Sequence, residues 1–61
     1  MYELIREPES GELKRAFNAL DEAFGAERFD KNSAKKVLAE HGFSKATFDN
    51  LIEGQYISEV D

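Results

Sequence analysis

The sequence predicts a mainly α domain of three helices with a small two- or three-stranded β element. Three observations carry this. Leu13, Ala16, Phe17, Leu20, Ala23 and Phe24 recur at the three-and-four spacing that lines one face of a helix. Glycines and small polar residues at Ser10, Gly25, Asn32, Ser33, Gly42, Ser44 and Gly54 punctuate the chain at helix-length intervals. The tail alternates Tyr56, Ser58 and Val60 against Ile57 and Glu59, the period of a strand.

Taken in order, Tyr2-Glu3-Leu4-Ile5 is short and β-compatible, and Pro8 keeps it from running into the helix that follows. It reads as an edge strand. Ser10 is placed to cap the first helix, about Ser10 to Phe24, Glu12 suits its positive first turn, and Gly25 stops it. Ala26 to Asp30 is a connection in which Phe29 is the only large apolar residue, so Phe29 is expected to be buried in a bridging β segment. Asn32 or Ser33 caps a second helix with Ala34, Val37 and Leu38 inward and Lys35, Lys36 and Glu40 outward, ending near Gly42. Ser44 caps a third, from about Lys45 to Glu53, which turns Phe48, Leu51 and Ile52 to the core before Gly54 ends it. The tail from Gln55 to Asp61 is expected to pair with Arg28-Phe29 or with Tyr2 to Ile5.

Sixty-one residues make one domain, covering 1–61, and no internal repeat or linker divides them. A chain this short buries only about 60% of the surface its unfolded form exposes, so its stability is modest without a staple. Cysteine is absent, which removes disulfides, thiolate metal sites and thiol nucleophiles and fits a reducing, cytoplasmic setting. No apolar run approaches the length of a membrane span.

The net charge of −5 opposes nucleic acid and anionic membrane on average. Its distribution says more. From residue 1 to 27 there are three basic and seven acidic residues, and from 46 to 61 four acids stand alone. Between them Arg28, Lys31, Lys35, Lys36 and Lys45 face only Asp30 and Glu40, a window of net +3. A basic window between acidic ends is what a one-sided phosphate contact requires, because the local field decides such a contact.

The run from Ala34 to Ile52, A-K-K-V-L-A-E-H-G-F-S-K-A-T-F-D-N-L-I, falls inside that window. A short helix, a Gly turn, a capped start and a second short helix follow one another. Gly42 suits a turn with positive φ, Phe43 plugs the corner, Ser44 caps, and Phe48, Leu51 and Ile52 seat the second helix. This run resembles the helix-turn-helix of DNA-binding repressors, and the whole order of elements resembles a minimal winged helix. The resemblance covers about a third of the chain. It implies double-stranded DNA as partner, with Ser44, Lys45, Ala46, Thr47 and Asn50 towards the groove and Lys31, Lys35 and Lys36 on phosphate. Asp49 departs from it, and the helix that would face DNA carries no Arg, the commonest partner of guanine.

The function expected is therefore a small regulatory or accessory protein that contacts nucleic acid weakly, as a homodimer that doubles its phosphate contacts. The alternative is a protein-interaction module on the same scaffold, using Glu9, Glu12, Asp21 and Glu22 of the acidic first helix. An enzyme is not expected, since no serine has a His and an acid arranged around it. Nor is a cofactor or a metal. The stretch from Asp30 begins like a calcium loop, but Ala34, Lys35 and His41 stand where it needs an oxygen ligand, a glycine and a bidentate Glu. His41 is read as a helix-end residue, and the five Phe as core.

Overall fold

Five short elements follow one another in the computed structural model, which describes residues 1–60. They are β1 (Tyr2–Leu4), α1 (Gly11–Phe24), α2 (Lys31–Glu40), α3 (Ala46–Glu53) and β2 (Ile57–Glu59). Asp61, the last residue of the predicted tail strand, lies outside the described residues.

α1 buries Ala16, Phe17, Ala19 and Leu20 and ends where Gly25, at φ +62°, donates its N–H to the Asp21 carbonyl at 2.7 Å. Ala23 departs from expectation. It is exposed in the last turn of α1, on the rim of an open depression that it lines with Ala19, Glu22 and His41. Ser10 occupies the N-cap position in extended conformation without a side-chain hydrogen bond to the helix.

α2 is capped by Asp30 and not by Asn32 or Ser33. Asp30 is extended, and its Oδ1 accepts the Ser33 N–H at 2.6 Å, so Asn32 and Ser33 lie inside the first turn. At the other end His41 accepts the role of C-cap, with its Nδ1 2.9 Å from the Val37 carbonyl. The chain then reverses at Gly42, whose φ of +82° is the left-handed conformation that costs a side-chain-bearing residue about 1–2 kcal/mol. The Phe43 N–H returns to the Leu38 carbonyl at 2.9 Å and closes the corner.

β1 pairs antiparallel with β2, Tyr2 opposite Glu59, Glu3 opposite Ser58 and Leu4 opposite Ile57. Its other side is occupied too. Tyr2 and Phe29 exchange N–H···O bonds of 2.7 and 3.0 Å, so the strand expected at an edge is flanked on both sides. The reason lies in the alternation of an antiparallel ladder: Tyr2 turns its backbone groups away from β2 and offers them to Phe29. Of the two partners expected for the tail, Tyr2 to Leu4 is the one observed, and Arg28-Phe29 is not, because Phe29 spends its backbone bonds on the other side of Tyr2.

The core gathers Ala16, Phe17 and Leu20 from α1, Phe29, Ala34 and Leu38 from α2 and its approach, Phe48 and Leu51 from α3, and Ile57 from β2. The Phe24 ring stacks on Phe29 at 4.7 Å. None of the described helices is long and apolar enough to cross a membrane. The architecture is that of a mainly α domain with a two-stranded antiparallel sheet.

Candidate functional site

The reversal at Gly42 brings the middle of α2 against the start of α3 and leaves a cleft of about 30 Å³ between them. Leu38, Ala39, Phe43 and Phe48 form its apolar walls, and Lys35, Ser44 and Lys45 its polar rim. The walls follow from helix geometry. Lys35, Leu38 and Ala39 stand at i, i+3 and i+4 along one stripe of α2, and the small Ala39 leaves the gap that a longer side chain would close.

Three of the eight residues expected at a nucleic-acid surface, Lys35, Ser44 and Lys45, therefore share one depression. Lys31 is exposed one turn before Lys35 on the same stripe of α2, at the spacing of helix neighbours. Lys36 is exposed about 100° further round, on a different face from Lys35. Lys35 itself is half-buried at the rim of the cleft, as long cationic side chains bordering apolar surface often are. Among the described residues the ion pairs are Lys14 with Glu7 and Arg28 with Glu3, both at 3.8 Å, so Lys31, Lys35, Lys36 and Lys45 hold no carboxylate.

α3 corrects the expectation for Thr47. Thr47 is 2% exposed, and its Oγ1 lies 3.2 Å from Ser44 Oγ, so it faces the core and not a partner. The face it should occupy is set by Phe48 and Leu51, which bury the flank on which Thr47 also falls. The same hydroxyl pairing explains why Ser44 does not cap. Its Oγ meets Thr47 Oγ1, Lys45 stands at the N-cap position with helical dihedrals, and the Ser44 carbonyl receives the Thr47 N–H at 3.2 Å. What α3 shows to solvent is Ala46, Asp49, Asn50 and Glu53. Asn50 is accessible as expected, but it stands between two carboxylates.

Asp30 is held as its carboxylate by the turn that it caps. Its carboxyl is held below its ordinary 3.8, first by the Ser33 backbone N–H and then by the Ser33 hydroxyl, both of which favour the ionised form. Its charge is thereby committed to the α2 N-terminus beside Lys31.

The arrangement offers ammonium groups beside apolar walls, the elements of a binding surface. The His41 ring leans on the Val37 carbonyl and Ser44 on Thr47, and no group of three His, Asp or Glu among the described residues is placed to hold a metal ion. Sequence reasoning missed the apolar part of the site: Leu38, Ala39 and Phe48 read only as core or spacer. The available signal was Phe43, an aromatic residue directly after a turn glycine and before two polar residues. Comparison with known proteins finds no family model that matches the chain, and no match among curated proteins or solved structures.

Proposed function

We propose that this chain is a non-catalytic interaction module, built on a helix-turn-helix corner, that docks an anionic partner on the α2–α3 edge. The observation that carries the reading is the convergence of Lys35, Ser44 and Lys45 on one cleft with no carboxylate among its lining residues. Lys31 extends the cationic stripe by a turn. A local field of three unpaired ammonium groups offsets the overall −5 at short range, within the roughly 8–10 Å over which charge is felt at physiological salt.

Duplex DNA, the partner implied by the winged-helix resemblance, belongs to this reading as a phosphate contact without base readout. Asp49 and Glu53 occupy the face that would enter the major groove, and a carboxylate there meets phosphate repulsion on both sides. A homodimer would double three lysine contacts into six and steepen the salt dependence accordingly. The reading suits a cytoplasmic accessory protein.

Titration of isotope-labelled chain with a random duplex and, separately, with an acidic peptide at low salt tests it. Amide signals of Lys31, Lys35, Ser44 and Lys45 are expected to move with at least one of them, and Lys35→Glu with Lys45→Glu to abolish the response. If only α1 resonances respond, or if the charge-reversed chain binds as well as the wild type, the reading is wrong.

A further inference from the structure

Resting on that reading, we infer that the partner seated on the α2–α3 edge is an acidic protein segment carrying one small apolar side chain, which enters the cleft between Lys35 and Lys45. Charge alone does not separate such a segment from nucleic acid, since both load the same ammonium groups. The walls do. Ala39 and Phe43, over a floor of the buried Leu38 and Phe48, offer apolar surface that a phosphate backbone has nothing to place against. Filling it with a methyl-bearing side chain removes apolar surface from water on both partners. The free volume of about 30 Å³ admits a tip of one or two methyl groups, the size of Ala or Val, and not a ring.

Width decides in the same direction. A duplex carries a charge every ~1.7 Å along its axis, so laying phosphates over Lys35 and Lys45 brings others over Asp49 and Glu53, which follow Lys45 by one and two turns on the same stripe of α3. A single extended peptide can place carboxylates on Lys31, Lys35 and Lys45 and end before Asp49. An extended strand spaces alternate side chains about 6.6–6.8 Å apart, comparable to the spacing of Lys31 and Lys35 along α2, about 6 Å at 1.5 Å per residue. The segment implied is an alternation of Asp or Glu with one Val or Ala.

The test uses the full chain and three probes: an Asp/Glu-rich twelve-residue peptide with one central Val, the same peptide with Ser in its place, and a random duplex. The Val peptide is expected to bind about tenfold to fifteenfold tighter than the Ser peptide, by the burial of its two methyl groups. It should also move the ring signals of Phe43 and Phe48. Ala39→Leu, a substitution at an exposed position that extends into the cleft, is expected to erase this preference, so that the two peptides bind alike. Equal affinity for the two peptides, with binding lost in the Lys35→Glu, Lys45→Glu chain, would overturn the anchor and leave the edge as an anion site. Survival of the Val preference in Ala39→Leu would do the same. Tighter binding of the duplex than of either peptide would overturn the inference in favour of nucleic acid. Failure of all three probes to move the edge would remove both this inference and the reading beneath it.

Discussion

Tyr2 meets Phe48 edge-on, ring centroids 5.1 Å apart with planes at 83°. Through this contact the N-terminal strand is keyed to the helix that carries the rim of the cleft. Phe48 is 1% exposed and lines the cleft from below, so the same ring is both the centre of the core and the floor of the candidate site. Replacing Phe48 by Ala removes about 3–5 kcal/mol. For a chain of this length total stability is roughly 3–9 kcal/mol, so Phe48→Ala is expected to be largely unfolded at room temperature by circular dichroism. Tyr2→Leu, which keeps bulk and loses the ring geometry, is expected to fold with a penalty of about 0.5–1.5 kcal/mol in denaturant titration.

Asp30 sets a pH dependence whose sign follows from its cap. The folded chain holds this carboxyl below its ordinary value, so the unfolded chain binds the proton more readily. The stabilisation is complete above the unfolded value near 3.8 and drains away as pH falls through the lower folded value. Asp30→Ala is expected to melt lower than wild type at pH 7, with the gap closing towards pH 2. Asp30→Asn keeps an acceptor for the Ser33 N–H and should sit between the two at neutral pH, without that acid-side slope.

Gly54 is required by its neighbour and not by its own dihedrals. Its φ is −79°, but a Cβ there would lie 2.5 Å from Cε2 of Tyr56. The Tyr56 ring cannot simply move, because the Arg6 guanidinium covers it at 4.5 Å while Arg6 Nη2 donates to the Gly54 carbonyl at 2.9 Å. Gly54→Ala is therefore expected to displace the ring and release Arg6. A double-mutant cycle with Arg6→Ala checks this: the second substitution should cost less in the Gly54→Ala background than alone, by about 0.5–1 kcal/mol. Strict additivity would mean that the ring has somewhere else to go.

Thr47 separates a core role from a contact role. Thr47→Val retains the buried methyl and leaves the exposed Ser44 hydroxyl to water, so a change under about 1.5 kcal/mol is expected, with affinity for an anionic partner unchanged. A loss of affinity in a folded Thr47→Val chain would put this side chain back at the interface.

Lys35 and Lys36 are adjacent in sequence and divergent in space. Lys35→Glu is expected to weaken partner binding at least tenfold and Lys36→Glu less than twofold, with both chains melting within a few degrees of wild type. Equal effects would mean that the contact spans more of α2 than the cleft side.

The helices were legible because each announces itself locally. Leu13 to Leu20 repeat at helical spacing, and Gly25, Gly42 and Gly54 mark three ends, Gly42 with the positive φ its turn demanded. The cap of α2 was misplaced because Asp30, Asn32 and Ser33 are all good caps, and only the backbone conformation shows which is extended. The candidate site was half legible. Charge placed the lysines in one window, but a window in sequence does not say which lysines share a face.

The amino-acid order by itself determined the three amphipathic segments, the reversal between the second and third, and the surplus of cations there, since each depends on residues within a few positions of one another. Tertiary packing alone decided that Thr47 turns inward, that β1 is flanked on both sides, and that Lys35 rather than Lys36 borders an apolar cleft. These outcomes depend on the angle at which α3 crosses α2 and on the sheet that holds it there, and that angle is set by contacts such as Tyr2 with Phe48, forty-six positions apart in the chain.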